Sequence, residues 1–121
     1  MALPNTAKPT RTQSYNVNCD TKGTPYTLYT CPSNCRSEMS MLMINNITGT
    51  VTLDATWEDA SAPHSVHILG GKNMGAGEYI LFTGATLVLE PGDAIVITIS
   101  GAGSCHVDGL CTVSETFRPI G

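Results

Sequence analysis

The residues of this 121-residue chain that could carry chemistry are three histidines, five cysteines and a handful of carboxylates, and their spacing leaves them without partners. His64 and His67 stand three apart. On a strand that spacing sends them to opposite faces, so they cannot chelate together without a bulge. Cys31, Cys35, Cys105 and His106 supply the ligand types of a Cys3His zinc site, but Cys105 and His106 are adjacent, which is awkward for two ligands of one ion. Ser104 and Cys105 lie beside His106, yet sequence neighbours on a strand point apart, which argues against a nucleophile–base dyad. The chain has no G-x-S-x-G elbow. Gly70–Gly77 (GGKNMGAG) lacks phosphate-loop spacing and opens no helix, so it reads as a long flexible turn. Glu58 and Asp59 read as solvated carboxylates at a strand end. The expectation is a chain with no catalytic residue, cofactor, metal or small-molecule substrate.

Cys19, Cys31, Cys35, Cys105 and Cys111 are an odd set. Met1–Arg11 has no apolar stretch of the kind a secretory leader needs, so no export is expected and free thiols are the default. Without export, the acceptor pattern Asn46-Ile47-Thr48 has no meaning. A particle that later meets oxygen could still form disulfides. Cys31 and Cys35 frame a short loop, and Cys105 and Cys111 flank a turn-like His106–Leu110, but connectivity stays open.

Composition narrows the partners. Six Lys+Arg against ten Asp+Glu give a net charge of −4, the wrong sign for nucleic acid. Charged residues are only 13% of the chain, against about 25% in ordinary soluble domains. Thr, Ser, Gly and Asn supply the polar surface, which suits packing against other protein. No apolar run approaches the ~18 residues of a membrane-spanning helix.

The elements follow from period-two alternation. Val51, Leu53, Ala55 and Trp57 share one face of a strand over Thr50–Glu58. Further strands are predicted at Pro25–Thr30, Ser37–Asn45, Ser65–Leu69, Glu78–Phe82, Thr86–Leu89, Asp93–Ser100 and Leu110–Phe117. Met39, Met41 and Met43 form a stripe read as core filler. Trp57, Phe82, Leu87, Ile95, Ile97, Ile99 and Phe117 are the expected core. In Glu90-Pro91-Gly92-Asp93, Pro presets φ, Gly admits positive φ and Asp caps the turn. Eight short strands without an amphipathic helix predict an all-β fold, a two-sheet antiparallel sandwich of jelly-roll type over residues 24–121. Residues 1–23 read as an extended N-terminal arm, either a disordered tail or a segment that orders on a neighbouring subunit. Tyr15 and Val17 alternate with polar residues and could add a strand to a neighbour's sheet edge.

Tyr26–Pro32 (YTLYTCP), Ile44–Trp57 (INNITGTVTLDATW), Gly75–Phe82 (GAGEYILF), Leu87–Asp93 (LVLEPGD) and Cys111–Arg118 (CTVSETFR) resemble segments of small β-sandwich structural proteins of tailed-phage virions, of cyanophage type. The likeness spans about Thr24–Phe117 and rests on strand and turn motifs. It implies a non-enzymatic capsid decoration, or cement, protein. Such a protein is assembled in the host cytoplasm and sits on the capsid surface, commonly as a homotrimer, clamping the major capsid protein. Pro4, Lys8, Arg11 and Tyr15 of the arm and Lys72 and Asn73 of the glycine-rich turn are the expected contact residues. The alternative virion role is a neck or tail connector or fibre-attachment component. Two other classes are weaker. The P-G-D turn resembles cupins, but their H-x-H metal motif is missing. A carbohydrate-binding module would need more exposed aromatics than one Trp, four Tyr and two Phe supply.

Overall fold

The computed structural model describes residues 10–101 and 104–117, apart from the side chains of residues 85 and 86. Eight strands follow in order: β1 Thr10–Cys19, β2 Tyr26–Thr30, β3 Cys35–Thr48, β4 Val51–Asp59, β5 His64–Met74, β6 Tyr79–Leu89, β7 Ala94–Ser100 and β8 His106–Phe117. They form two antiparallel four-stranded sheets, ordered β1-β8-β3-β6 and β2-β7-β4-β5. This interleaved order is that of a jelly roll, in which each sheet draws strands from both halves of the chain.

Alternation decides what each strand buries. Ile95, Ile97 and Ile99 of β7 are fully buried, as are Leu53 and Ala55 of β4 and Val107, Cys111 and Val113 of β8. Each such isoleucine contributes roughly 1.5–3 kcal/mol on leaving water. The turn before β7 is built as its residues dictate. Gly92 has φ +86°, and the buried Asp93 carboxylate accepts the Glu90 N–H at 2.9 Å and the Ala60 N–H at 3.0 Å.

Several expectations give way to this architecture. Thr10–Cys19, read as part of the arm, is β1, paired along its length with β8. Its outward residues are hydroxyls and amides, which hid it, while Tyr15, Val17 and Cys19 turn toward the core. Residues 1–9 lie outside the described chain. Gly70–Met74 is not a turn but the end of β5. Gly70 and Gly71 together face Asp54 as a bulge, and Asp54 Oδ1 accepts the Gly71 N–H at 2.8 Å. The predicted fifth and sixth strands are one strand, β6, broken in register but continuous. His106–Leu110, read as turn-like, is the start of β8.

The methionine stripe does not run through the core. A bulge between Met39 and Met41 shifts the phase of β3. Met39 is buried, but beyond it Leu42 and Ile44 point inward and Met41 and Met43 turn to the outer face. A second bulge, between Thr27 and Tyr29, buries both Leu28 and Tyr29. Of the expected core, Trp57, Leu87 and Phe117 only edge it, and Phe82 is 39% exposed. Phe82 lies on an edge strand, where the two sheets splay. β1 packs across onto β2 on the opposite side, whereas β5 and β6 leave an apolar cleft of about 220 Å³ between Met39, Leu42, Ile68, Phe82 and Leu87.

Candidate functional site

Polar chemistry inside the sandwich converges on Glu115. This β8 residue is fully buried, at an inward position where a hydrophobic side chain would be usual. Three other strands supply its surroundings. Tyr29 of β2 donates its hydroxyl at 2.6 Å, and Tyr15 and Arg11 of β1 donate at 3.0 and 2.7 Å. Ser37 of β3 shares a 2.6 Å hydrogen bond with the Tyr29 hydroxyl. Burial pushes the Glu115 carboxyl up. Donation from Tyr29, Arg11 and Tyr15, with the charge of Arg11, outweighs that and holds it below the usual carboxylate range. Burial, reinforced by the carboxylate, drives the Tyr29 phenol far above its ordinary value. Arg11 also lies over the Phe117 ring, 5.0 Å from its centroid. The cluster ties both sheets together at one end.

The five cysteines are free and buried. Burial raises the Cys19 thiol to about 12 and the Cys111 thiol to about 11. Such thiols stay protonated and are poor nucleophiles. Cys31 Sγ reaches the Cys35 carbonyl at 3.4 Å and the Leu89 carbonyl at 3.5 Å. Cys105 sits at the other end of β8, with its Sγ 3.6 Å from the Asp20 carbonyl. Cys105 and Cys111 are separated along extended chain by about 20 Å, well past the reach of a disulfide. The zinc set of Cys31, Cys35, Cys105 and His106 is likewise split between two ends of the sandwich, and no group of three or more potential ligands assembles among the described residues. Glu58 and Asp59 serve their own turn: Glu58 accepts from the Ser65 hydroxyl at 2.7 Å, and Asp59 from the Ser61 hydroxyl at 2.8 Å.

The expected contact residues do not form one patch. Arg11 and Tyr15 lie on β1, with their polar ends engaged by Glu115. Lys72 and Asn73 lie on β5, at the far edge of the other sheet. Lys72 is exposed, and Asn73 accepts the Thr52 hydroxyl at 2.9 Å. Pro4 and Lys8 are outside the described residues. No helix among those residues is long and apolar enough to cross a membrane.

What the fold does present is the outer face of the β1-β8-β3-β6 sheet. Across β1 and β8 runs a ladder of hydroxyl pairs: Thr10–Thr116, Thr12–Ser114 and Ser14–Thr112, at 3.3, 3.2 and 3.1 Å. Toward β6 the same face becomes apolar. Leu110, Met43 and Leu81 lie in one cross-strand row, with Asn16 at its β1 end. Leu81 is 49% exposed, and Tyr79 and Ile47 stand open beside the row. This face was missed because the expected core took only one face of each strand. The signal was present: Met41–Ile44 (MLMI) and Tyr79–Phe82 (YILF) are continuous rather than alternating runs, so both faces must carry apolar side chains.

No protein-family model matches the chain, and no curated protein matches it in sequence. Solved structures do resemble it. A chain from the acidic stable capsid of Helicobacter pylori bacteriophage KHP30 aligns with TM-score 0.57 and 10% identity, over 93% of this chain and 95% of that one. A chain from the Bacillus endospore appendages described as disulfide-linked pili aligns with TM-score 0.51 and 14% identity, over 98% and 97%. A chain of the cyanophage Pam1 capsid aligns at TM-score 0.48 and 13% identity, over 98% and 93%. At such identities the likeness is one of fold.

Proposed function

We propose that this protein is a non-enzymatic structural component of a phage virion, a capsid decoration protein that binds the major capsid protein and itself. The observation that carries the reading is the outer face of the β1-β8-β3-β6 sheet. Apolar side chains stand open on this outer face, while the buried Glu115 of the same sheet is engaged within the fold. An exposed apolar patch rimmed by hydroxyls is what a protein-binding surface looks like. The low charge of the chain points the same way, and the fold likeness to a chain of the bacteriophage KHP30 capsid supports a virion setting. Residues 1–9, with Pro4 and Lys8, and the exposed Lys72–Asn73 pair are further contact points in this reading.

The test adds purified protein to shells assembled from the major capsid protein alone, followed by sedimentation. Saturable binding at a fixed ratio to capsid subunits is expected, with loss of binding in Met43→Lys and Leu110→Lys variants that keep the wild-type melting temperature. Binding to isolated necks or tails, with none to shells, would instead establish a connector or fibre-attachment role.

A further inference from the structure

The β6 edge is unusual for a free sheet edge. Natural edges carry lysine, proline or an inward charge to prevent pairing with other chains. Tyr79–Leu89 (YILFTGATLVL) has no charge and no proline. The other free edges are less open: β5 carries Lys72 with His64 and His67, β1 carries Arg11, and β2 is five residues long.

The hydrogen-bond phase shows which groups are free. The Asn46 N–H donates to the Glu78 carbonyl at 2.9 Å, just before β6 begins. Antiparallel alternation then turns the N–H and C=O of Ile80 and Phe82 toward β3, and those of Tyr79, Leu81 and Thr83 toward the open edge. The side chains of these same three residues face outward, with Tyr79 64% and Leu81 49% exposed. Gly77 and Gly84, at φ +82° and +78°, bracket the stretch.

This edge is complementary to itself. We infer that β6 pairs antiparallel with β6 of a second copy of this chain, about a two-fold axis at Leu81, joining two four-stranded sheets into one of eight. In that register Leu81 meets Leu81 of the second copy, and Tyr79 meets Thr83. Ile80 meets Phe82 on the inner face. Each edge-facing amide and carbonyl of Tyr79, Leu81 and Thr83 then has a partner. Glu78 falls opposite Gly84, whose missing side chain leaves room, and the Glu78 carboxylate is already held by the Gly75 N–H. The row Leu110–Met43–Leu81 continues unbroken into Leu81–Met43–Leu110 of the second copy. Pairing with β1 of another copy would instead set the Asn16–Ser14–Thr12 side of that sheet against Tyr79 and Leu81. The contact is isologous and closes as a dimer, a departure from the threefold cluster that the virion resemblance implies. It does not depend on capsid binding.

Light scattering and sedimentation velocity of the full chain test it. Wild type is expected at twice the 12.8 kDa chain mass, dissociating to monomer on dilution. Leu81→Lys places like charges at the axis and should weaken association at least about a hundredfold, with the melting temperature of the diluted monomer unchanged. Leu81→Glu should do the same, and an equimolar mixture of the two variants should regain the dimer mass. A wild-type monomer at every concentration would overturn the inference. So would a trimer, a hexamer or an open-ended series of masses, or a dimer indifferent to both variants. Failure of the mixture to restore the dimer would refute the register.

Discussion

Glu115→Gln tests the buried lock directly. The carboxylate receives three donors, Tyr29, Arg11 and Tyr15, at 2.6, 2.7 and 3.0 Å. A hydrogen bond to a charged group contributes about 1.5–3 kcal/mol, a neutral one about 0.5–1.5. Glutamine keeps the shape but demotes each bond by about 1 kcal/mol, and its NH2 group faces donors it cannot satisfy. Relief from burying a charge offsets part of this. The Arg11 contribution is discounted further, because its side chain is 49% exposed and solvent screens it. The expected net loss is about 2–3 kcal/mol. For a chain of this size that lowers the melting temperature by about 6–15 °C. Thermal unfolding by circular dichroism at pH 7, and again at pH 4, measures it. Because the folded Glu115 carboxyl is held low, its contribution is present above the unfolded value of about 4.3 and is lost as pH falls through the folded value. The gap between wild type and variant should therefore narrow in acid. A loss under about 0.5 kcal/mol at pH 7, or a gap that does not change with pH, would show that the carboxylate does not hold this end of the sandwich.

At the alkaline end the sign reverses. Tyr29, Cys19 and Cys111 have raised folded values, so their contribution is full below the unfolded values of about 8.5–10 and is lost as pH rises beyond them. Urea midpoints should fall from about pH 9 upward, and Tyr29→Phe should flatten part of that fall. Gly109→Ala should cost about 1–3 kcal/mol by overpacking, since a β-carbon there would meet Ile97 Cδ1 at 2.7 Å and Val17 Cγ1 at 3.2 Å; a neutral effect in denaturant melts would mean that β1 and β7 yield freely. A thiol reagent should label the native protein slowly and all five cysteines once it is unfolded in guanidinium, whereas fewer than five labels without a reductant would reveal a bridge. Removing residues 1–23 takes away β1, strips Glu115 of Arg11 and Tyr15, and should leave a chain that does not unfold cooperatively.

Strand existence was legible wherever one face was apolar and the other polar. Val51–Trp57 and Ile95–Ile99 announce both their conformation and their buried side. The turn at Glu90–Asp93 was legible because its chemistry is local. Phase was not. A bulge such as the one at Ser40 inserts one residue and exchanges inside for outside, with no composition of its own to mark it. Glycine content at Gly70–Gly77 signalled a turn, although Gly70 and Gly71 serve a bulge within a strand. Glu115 could not be singled out, because its partners come from β1 and β2, about a hundred residues away in sequence. Only closure of the two sheets brings them to it.

The strand order also fixes when the protein can exist. The last two strands to be synthesised, β7 and β8, occupy the interior of each sheet: β8 lies between β1 and β3, and β7 between β2 and β4. Until they emerge from the ribosome, neither sheet has a centre, and six strands wait with unpaired edges. A jelly roll of this order therefore forms late and slowly, through contacts distant in sequence. During that interval the uncharged Tyr79–Leu89 stretch can rest only on β3, itself still without β8, and its free edge is open to other nascent chains. Cells making many copies at once would need the final strands to insert faster than neighbouring chains meet.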